Sequence, residues 1–338
     1  MKKLSLLLIG LLLIPSLFLT SCDRGDDIIG GPTAEPAFKL MTDYMVANNL
    51  DIDKVLTNTD GEKFVVGPPA AADLQAFLDK YYMIDIRSAA DFSTKGHIEG
   101  AKNVVFGDIL TEAPNAGAKP ILVVCYTGQT ACYATSLLRM YGYAHARALK
   151  WGMSGWNEDT AGPWNSKIGT NAADGHANWS YSTAPANLAF DAPTLTSFSV
   201  DGAEILKERV EQVVADGFKT AAGGDVLASP GNYFVNNYFS ETDYLGFGHI
   251  ANAYRIKEDL LLSTKGYLAL NSAPNAKIAS YCYTGQTSAV LTAWLRVLGY
   301  DAYSMTFGMN GIYNTNPVWG ANQWGVGSSN PKDLPLVF

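Results

Sequence analysis

Cysteine is scarce in this chain: four residues in 338. That count is too low for a disulfide framework. Charge is thin as well, at 17% Asp, Glu, Lys and Arg, with 24 basic against 32 acidic residues and no long basic cluster. The net charge of −8 argues against nucleic acid as a partner. Glycine and proline stand at ordinary levels, 32 and 15, which excludes collagen-like and low-complexity chains. Hydrophobic residues make up 48% and aromatic ones 12%. Such a chain has ample material for a core and is not disordered. Its length suits about two domains.

Only one long apolar run exists. Lys2 and Lys3 precede a stretch from Leu4 to Leu19 that Pro15 interrupts. It is short for a spanning helix, which needs about 20 apolar residues, and it reads as a secretory signal over residues 1–21. The run ends in Leu19-Thr20-Ser21-Cys22. These four residues resemble a bacterial lipobox, and the resemblance implies lipidation at Cys22. Cleavage removes two lysines and no acid, taking the net charge from −8 to −10. Residues 22–36, rich in Asp, Gly and Pro, read as a flexible tether. The expected location is outside the cytoplasm, with the membrane as a partner through a lipid anchor.

The rest of the chain contains a repeat. Cys125-Tyr126-Thr127-Gly128-Gln129-Thr130 recurs as Cys282-Tyr283-Thr284-Gly285-Gln286-Thr287, and residues 125–143 match 282–300 at 11 of 19 positions without a gap. Upstream, Gly96-His97-Ile98 recurs as Gly248-His249-Ile250. The His-to-Cys spacing is 28 residues in the first copy and 33 in the second. Two signals in one order mean a duplicated domain: residues 37–160 and 196–338, with a connection at 161–195. The run Ile121–Val124 suits a strand buried on both faces. Lys277–Tyr281 plays the same part in the second copy. After each cysteine comes a short loop and then a helical pattern, with Thr130 and Thr287 where an N-cap would stand and Gly142 and Gly299 at the helix ends. The expected class is α/β, each domain a parallel sheet with helices on both faces.

A cysteine at the end of such a strand, before a glycine loop and a helix N-terminus, has amides aimed at its sulfur. That stabilises negative charge and activates the thiol. Gly128 and Gly285 allow the amides to curl inward, and the same cradle would hold a persulfide. Cys125 is the leading candidate nucleophile and Cys282 the second. Backbone amides of 126–130 and 283–287 would hold the sulfur. Tyr126, Thr127, Gly128, Gln129 and Thr130, with Tyr283, Thr284, Gly285, Gln286 and Thr287, would line the two binding sites. Asp85 and Arg87 read as an ion pair supporting the loop. Cys132, seven residues after Cys125 and matched by Ala289, reads as core. His97 and His249 read as structural hydrogen-bonding groups; the four histidines show no metal spacing.

Several segments resemble the rhodanese (sulfurtransferase) family: Ile84-Asp85-Ile86-Arg87, Phe92, Gly96–Ala101, the loop from Cys125 to Thr130, and Trp151–Trp156. In the second copy the resemblance runs through Gly248–Ile250, Cys282–Thr287 and Gly308–Gly311. It implies that the cysteine takes sulfur from a donor such as thiosulfate, becomes a persulfide, and passes the sulfur to a thiol or cyanide. No metal or organic cofactor is implied. Related phosphatases carry Cys-x5-Arg; here Ala131 and Ser288 occupy that place. Many family members that use thiosulfate carry a basic residue after the cysteine. Tyr126 and Tyr283 stand there instead, so persulfides, polysulfide and mercaptopyruvate-like donors stay open. The second copy also lacks Asp-x-Arg; near its place lie Asn236, Asn237, Tyr238 and Phe239. Two other classes of function remain: a persulfide or polysulfide carrier or redox sensor without turnover, and an inactive scaffold.

Overall fold

The structure is a computed structural model that describes residues 36–338. The signal segment 1–21, Cys22 and the tether up to residue 35 lie outside the described residues. The described residues belong to one compact unit.

The first half contains α1 (Ala37–Ala47), α2 (Ile52–Leu56), β1 (Val65–Val66), α3 (Leu74–Lys80), β2 (Tyr82–Asp85) and α4 (Ala89–Thr94). It continues with β3 (Lys102–Asn103), α5 (Ile109–Glu112), β4 (Ile121–Val124), α6 (Gln129–Met140), β5 (Arg147–Leu149) and α7 (Met153–Trp156). The connection holds α8 (Gly162–Asn165) and β6 (Trp179–Ser180). Then come α9 (Gly202–Asp216), β7 (Thr220–Ala221), α10 (Gly223–Ala228), β8 (Phe234–Asn237), α11 (Glu241–Phe247) and β9 (His249–Ile250). β10 (Ile278–Tyr281), α12 (Gln286–Val297), β11 (Ala302–Met305) and α13 (Gly308–Tyr313) complete the chain.

Among the described residues, two parallel sheets dominate. Their orders are β1-β5-β4-β2-β3 and β7-β11-β10-β8. Each cysteine follows a central strand whose four residues are all buried, as a doubly covered parallel sheet requires. Alternate residues of β4 serve different cores. Ile121 and Val123 face a large central core; Leu122 and Val124 face an outer one with Phe77, Met153 and Trp156. In the second sheet, Ile278 joins the same central core, while Ala279 and Tyr281 face a third cluster with Phe247 and Met309. The central core is therefore shared: α6 and α12 pack on each other between the two sheets.

The two ends of the chain cross between halves. α1 lies against α9, where a side chain at Gly202 would stand 2.3 Å from the Leu40 carbonyl oxygen. At the other end, Val337 exchanges backbone hydrogen bonds with His97 (2.8 and 3.0 Å), and Trp156 Nε1 donates to Pro335 O at 2.9 Å. The connection packs through Trp164, which is fully buried among Trp151, Trp324 and Phe307.

The expected N-caps are corrected. Each helix after a cysteine starts at Gln129 or Gln286, and its cap is Gly128 (φ 82°) or Gly285 (φ 76°). The left-handed turn ends the loop, so Thr130 and Thr287 already lie inside the helix. A glycine takes that conformation without the steric cost a Cβ would impose.

Candidate functional site

Cys125 leaves β4 and its sulfur meets the backbone at once. Gly128 N donates to Sγ at 3.2 Å and Ala131 N at 3.3 Å. The Thr127 amide adds to the cradle. The expected amide window of 126–130 thus extends one residue, to Ala131, whose amide lies in the first turn of α6 and has no partner within the helix. Burial pushes the Cys125 thiol up from its ordinary value. The three amides pull it down, and the Asp85 carboxylate pushes it up again.

Around Cys282 the cradle differs. Ser288 N approaches Sγ at 3.4 Å, and the Ser288 hydroxyl stands at 3.7 Å. That hydroxyl is held by Ser304 Oγ at 2.9 Å. The donor here again lies one residue past the expected window, at the position Ala131 fills in the first copy.

Each loop is clamped from behind in the same way. The Cys125 carbonyl accepts from Met153 N at 2.8 Å and the Cys282 carbonyl from Met309 N at 2.9 Å. A Cβ on Gly152 would stand 2.3 Å from Cys125 O, and one on Gly308 2.1 Å from Cys282 O. The preceding residues, Trp151 (φ 68°) and Phe307 (φ 61°), hold positive φ despite their bulk. Strain of this kind persists only where packing over-determines it; the Trp164 cluster supplies that packing.

Asp85 and Arg87 form the expected buried pair. Arg87 Nη2 donates to Asp85 Oδ2 at 2.7 Å and to Gly96 O at 2.9 Å, tying β2 to the Gly-His turn. In the second half Asn237 and Phe239 take these places; Asn237 Oδ1 accepts from Phe239 N as Asp85 Oδ1 accepts from Arg87 N. His97 stacks on Phe92, and its Nδ1 bonds Phe92 O at 3.0 Å. His249 stacks on Tyr244 and bonds Ser182 O at 2.8 Å. Cys132 is a free, fully buried thiol in the core.

The loop side chains divide into two groups. Tyr126 donates its hydroxyl to Asp91 and Tyr283 to Asp243. Gln129 and Gln286 reach the opposite half, as Gln129 Oε1 accepts from Phe307 N and Gln286 Nε2 donates to Thr127 O. The Tyr–Asp pairing was not anticipated, although a signal existed: Asp91 and Asp243 each stand six residues before the shared histidine.

Cys282 lines a cleft of about 750 Å³ between the two halves of the chain. Tyr283, Thr284, Gln286 and Thr287 share its wall with Lys257, and the first half contributes Lys63, Lys150 and Val65. Burial, reinforced by Lys63, pushes the Lys150 ammonium down from its usual value, and Lys150 Nζ donates to Asn322 Oδ1 at 2.8 Å. These three cations were invisible in the repeat. Among the described residues, no group of three or more His, Cys, Asp or Glu side chains is placed to hold a metal ion.

An α/β protein with a cysteine loop at the carboxyl end of a central parallel strand, present twice, is the class that fold and site define. The family model for the rhodanese-like domain matches residues 70–159, which contain Asp85, Arg87 and the Cys125 loop. That part of the chain resembles a rhodanese-like domain.

Among solved structures, the chain is similar to thiosulfate sulfurtransferase from Pseudomonas aeruginosa at 15% identity, over 84% of this chain and 48% of that one, with a TM-score of 0.29. It is also similar to 3-mercaptopyruvate sulfurtransferase from Leishmania major, at 12% identity over 75% of each chain and a TM-score of 0.27. A third similarity is to reduced Bacillus anthracis CoADR-RHD, at 21% identity over 27% of this chain and 16% of that one, with a TM-score of 0.23. The chain thus spans less than half of the Pseudomonas and Bacillus structures it matches.

Proposed function

We propose that the protein is a sulfurtransferase whose working nucleophile is Cys282, with an anionic sulfur donor bound in the cleft between the two halves. The observation that carries this reading is the meeting of the cysteine loop with Lys63, Lys150 and Lys257 in one cleft. The loops themselves carry no charge, and the lysines supply what they lack. In a half-buried cleft such cations attract and hold an anion far better than in bulk water.

With thiosulfate the reaction is as follows. The Cys282 thiolate attacks the outer sulfur. A sulfur–sulfur bond forms to the cysteine, the bond to the sulfonate sulfur breaks, and sulfite leaves with its electron pair. The lysines balance charge on the leaving group. A thiolate or cyanide then attacks the outer persulfide sulfur, and the Cys282 thiolate departs. At Cys125 burial pushes the thiol up from its ordinary value, which works against the thiolate a nucleophile needs, and the three lysines line the Cys282 cleft instead. This reverses the order expected from the motif alone. The proposal retains lipidation at Cys22 and an extracytoplasmic location, supported by the apolar run and the residues that end it.

Thiocyanate formation from thiosulfate and cyanide tests the reading. Turnover is expected to vanish in Cys282→Ser and to persist in Cys125→Ser. Lys150→Met is expected to raise KM for thiosulfate about tenfold. Absence of turnover with a stable single-sulfur adduct on Cys282 would favour a carrier instead. For the anchor, Cys22→Ser is expected to release the protein from the membrane fraction.

A further inference from the structure

The strand registers allow the two cysteine sites to be overlaid residue by residue. Val65 pairs with Ala148 and Thr220 with Ser304, so Lys63 and Phe218 occupy one position, two residues before each edge strand. Val66 pairs with Leu149 and Ala221 with Met305, so Lys150 corresponds to Thr306. Ile84 pairs with Lys102 and Asn236 bridges Tyr254; three residues on, Val105 corresponds to Lys257. Every lysine of the Cys282 cleft is therefore uncharged at the matching place beside Cys125.

Aromatic rings fill that side instead. Tyr133, at the position of Val290, stands 6.0 Å from Phe106 and 4.7 Å from Phe218, centroid to centroid. Its hydroxyl donates to Gly217 O at 3.2 Å, fixing the ladder across the two halves. Charges on this side are paired: Arg87 with Asp85, Lys95 with Asp91 at 2.8 Å, and Arg296, which interacts with Tyr133, with Asp216 at 2.6 Å. Asp91 has its match in Asp243, so it does not distinguish the sites.

We infer that the two cysteine sites differ in the charge of the sulfur compound they accept: Cys282 takes an anion, and Cys125 an uncharged sulfane-sulfur compound. At Cys125 the thiolate attacks one sulfur of the donor's S–S bond. A new S–S bond forms to the cysteine, and the electron pair of the broken bond leaves on the departing sulfur fragment. The charge preference stands on the geometry; its meaning for sulfur donors rests on the sulfurtransferase reading.

The test alkylates the whole chain with iodoacetate, an anion, and with iodoacetamide, its uncharged analogue, and follows each cysteine by peptide mass. In both cases the thiolate displaces iodide, so the ratio of the two rates at one cysteine cancels its thiolate fraction. The iodoacetate-to-iodoacetamide ratio is expected to be about tenfold higher at Cys282 than at Cys125. The combined variant Lys63→Met, Lys150→Met, Lys257→Met is expected to bring the Cys282 ratio down to that of Cys125. Equal ratios in the unsubstituted chain would overturn the inference, as would a Cys125 that reacts with neither reagent. A chain with the expected ratios but no sulfur transfer would reject the transferase reading and keep the charge preference; equal ratios with normal turnover would do the reverse.

Discussion

Gln286, in the Cys282 loop, donates its side-chain amide to the carbonyl oxygen of Thr127, in the Cys125 loop, at 3.1 Å. Gln129 answers from the other side, accepting the Phe307 amide at 2.7 Å next to the glycine that clamps Cys282. Each loop is thus shaped in part by a side chain from the other half. The two bonds are not equally replaceable, because Thr127 O also accepts from Trp164 Nε1 at 3.1 Å.

Gln129→Ala is therefore expected to cost more than Gln286→Ala. Stranding the Phe307 amide costs about 1–3 kcal/mol, while the Thr127 carbonyl keeps one partner. Urea unfolding of the two variants compares them. Gln129→Ala is also expected to change the alkylation rate of Cys282, though the substituted residue belongs to the first half.

The Asp85–Arg87 pair has its own uncharged substitute within the chain, Asn237 and Phe239. Arg87→Phe alone leaves a buried carboxylate without its cation, at a cost of about 3–5 kcal/mol. Adding Asp85→Asn is expected to restore most of that loss, since the second half folds with this combination. A double-mutant cycle measured by denaturant unfolding reads the coupling directly. Costs that simply add would mean that the pair does not act as a unit.

Both loops were legible in the sequence because local chemistry writes them: a branched apolar strand, a cysteine, and a glycine before a helix. The helix start was misread at Thr130 because a side-chain cap was assumed where Gly128 turns the chain with its backbone. The paired roles of Asp85 and Arg87 were also readable, two residues apart on one strand end. The cleft lysines were not. Lys63 and Lys150 share a cleft with Cys282 through the packing of one half on the other, and no spacing encodes that. The crossing of α1 onto α9 and of Val337 onto His97 was hidden for the same reason.

Gly308→Ala is expected to damage the Cys282 site while Gly107→Ala is tolerated. The first position combines φ of 51° with a Cβ that would meet the Cys282 carbonyl oxygen at 2.1 Å; the second has open space and no positive φ. A residue forced into such a site destabilises by more than the roughly 0.4–1 kcal/mol that a compatible Gly→Ala change contributes. Thermal unfolding and Cys282 alkylation check the contrast: a Gly308→Ala protein with unchanged melting and reactivity would contradict the clamp.

Lys150 links the cleft to pH in two opposite senses. Burial, with the charge of Lys63 second, holds its pKa below the ordinary 10.5. Between that lowered value and 10.5 the unfolded chain binds more protons at this residue than the folded one, so its contribution to stability rises with pH. Donor binding moves the other way. The ammonium that attracts the anion is lost as pH rises through the lowered pKa, earlier than for an exposed lysine. KM for thiosulfate is thus expected to climb on the alkaline side while the unfolding midpoint holds or improves. Lys150→Arg, whose guanidinium stays protonated, is expected to flatten the climb, and Lys150→Met to raise KM at every pH. A KM that climbs equally in Lys150→Arg would assign the titration to another group and remove Lys150 from donor binding.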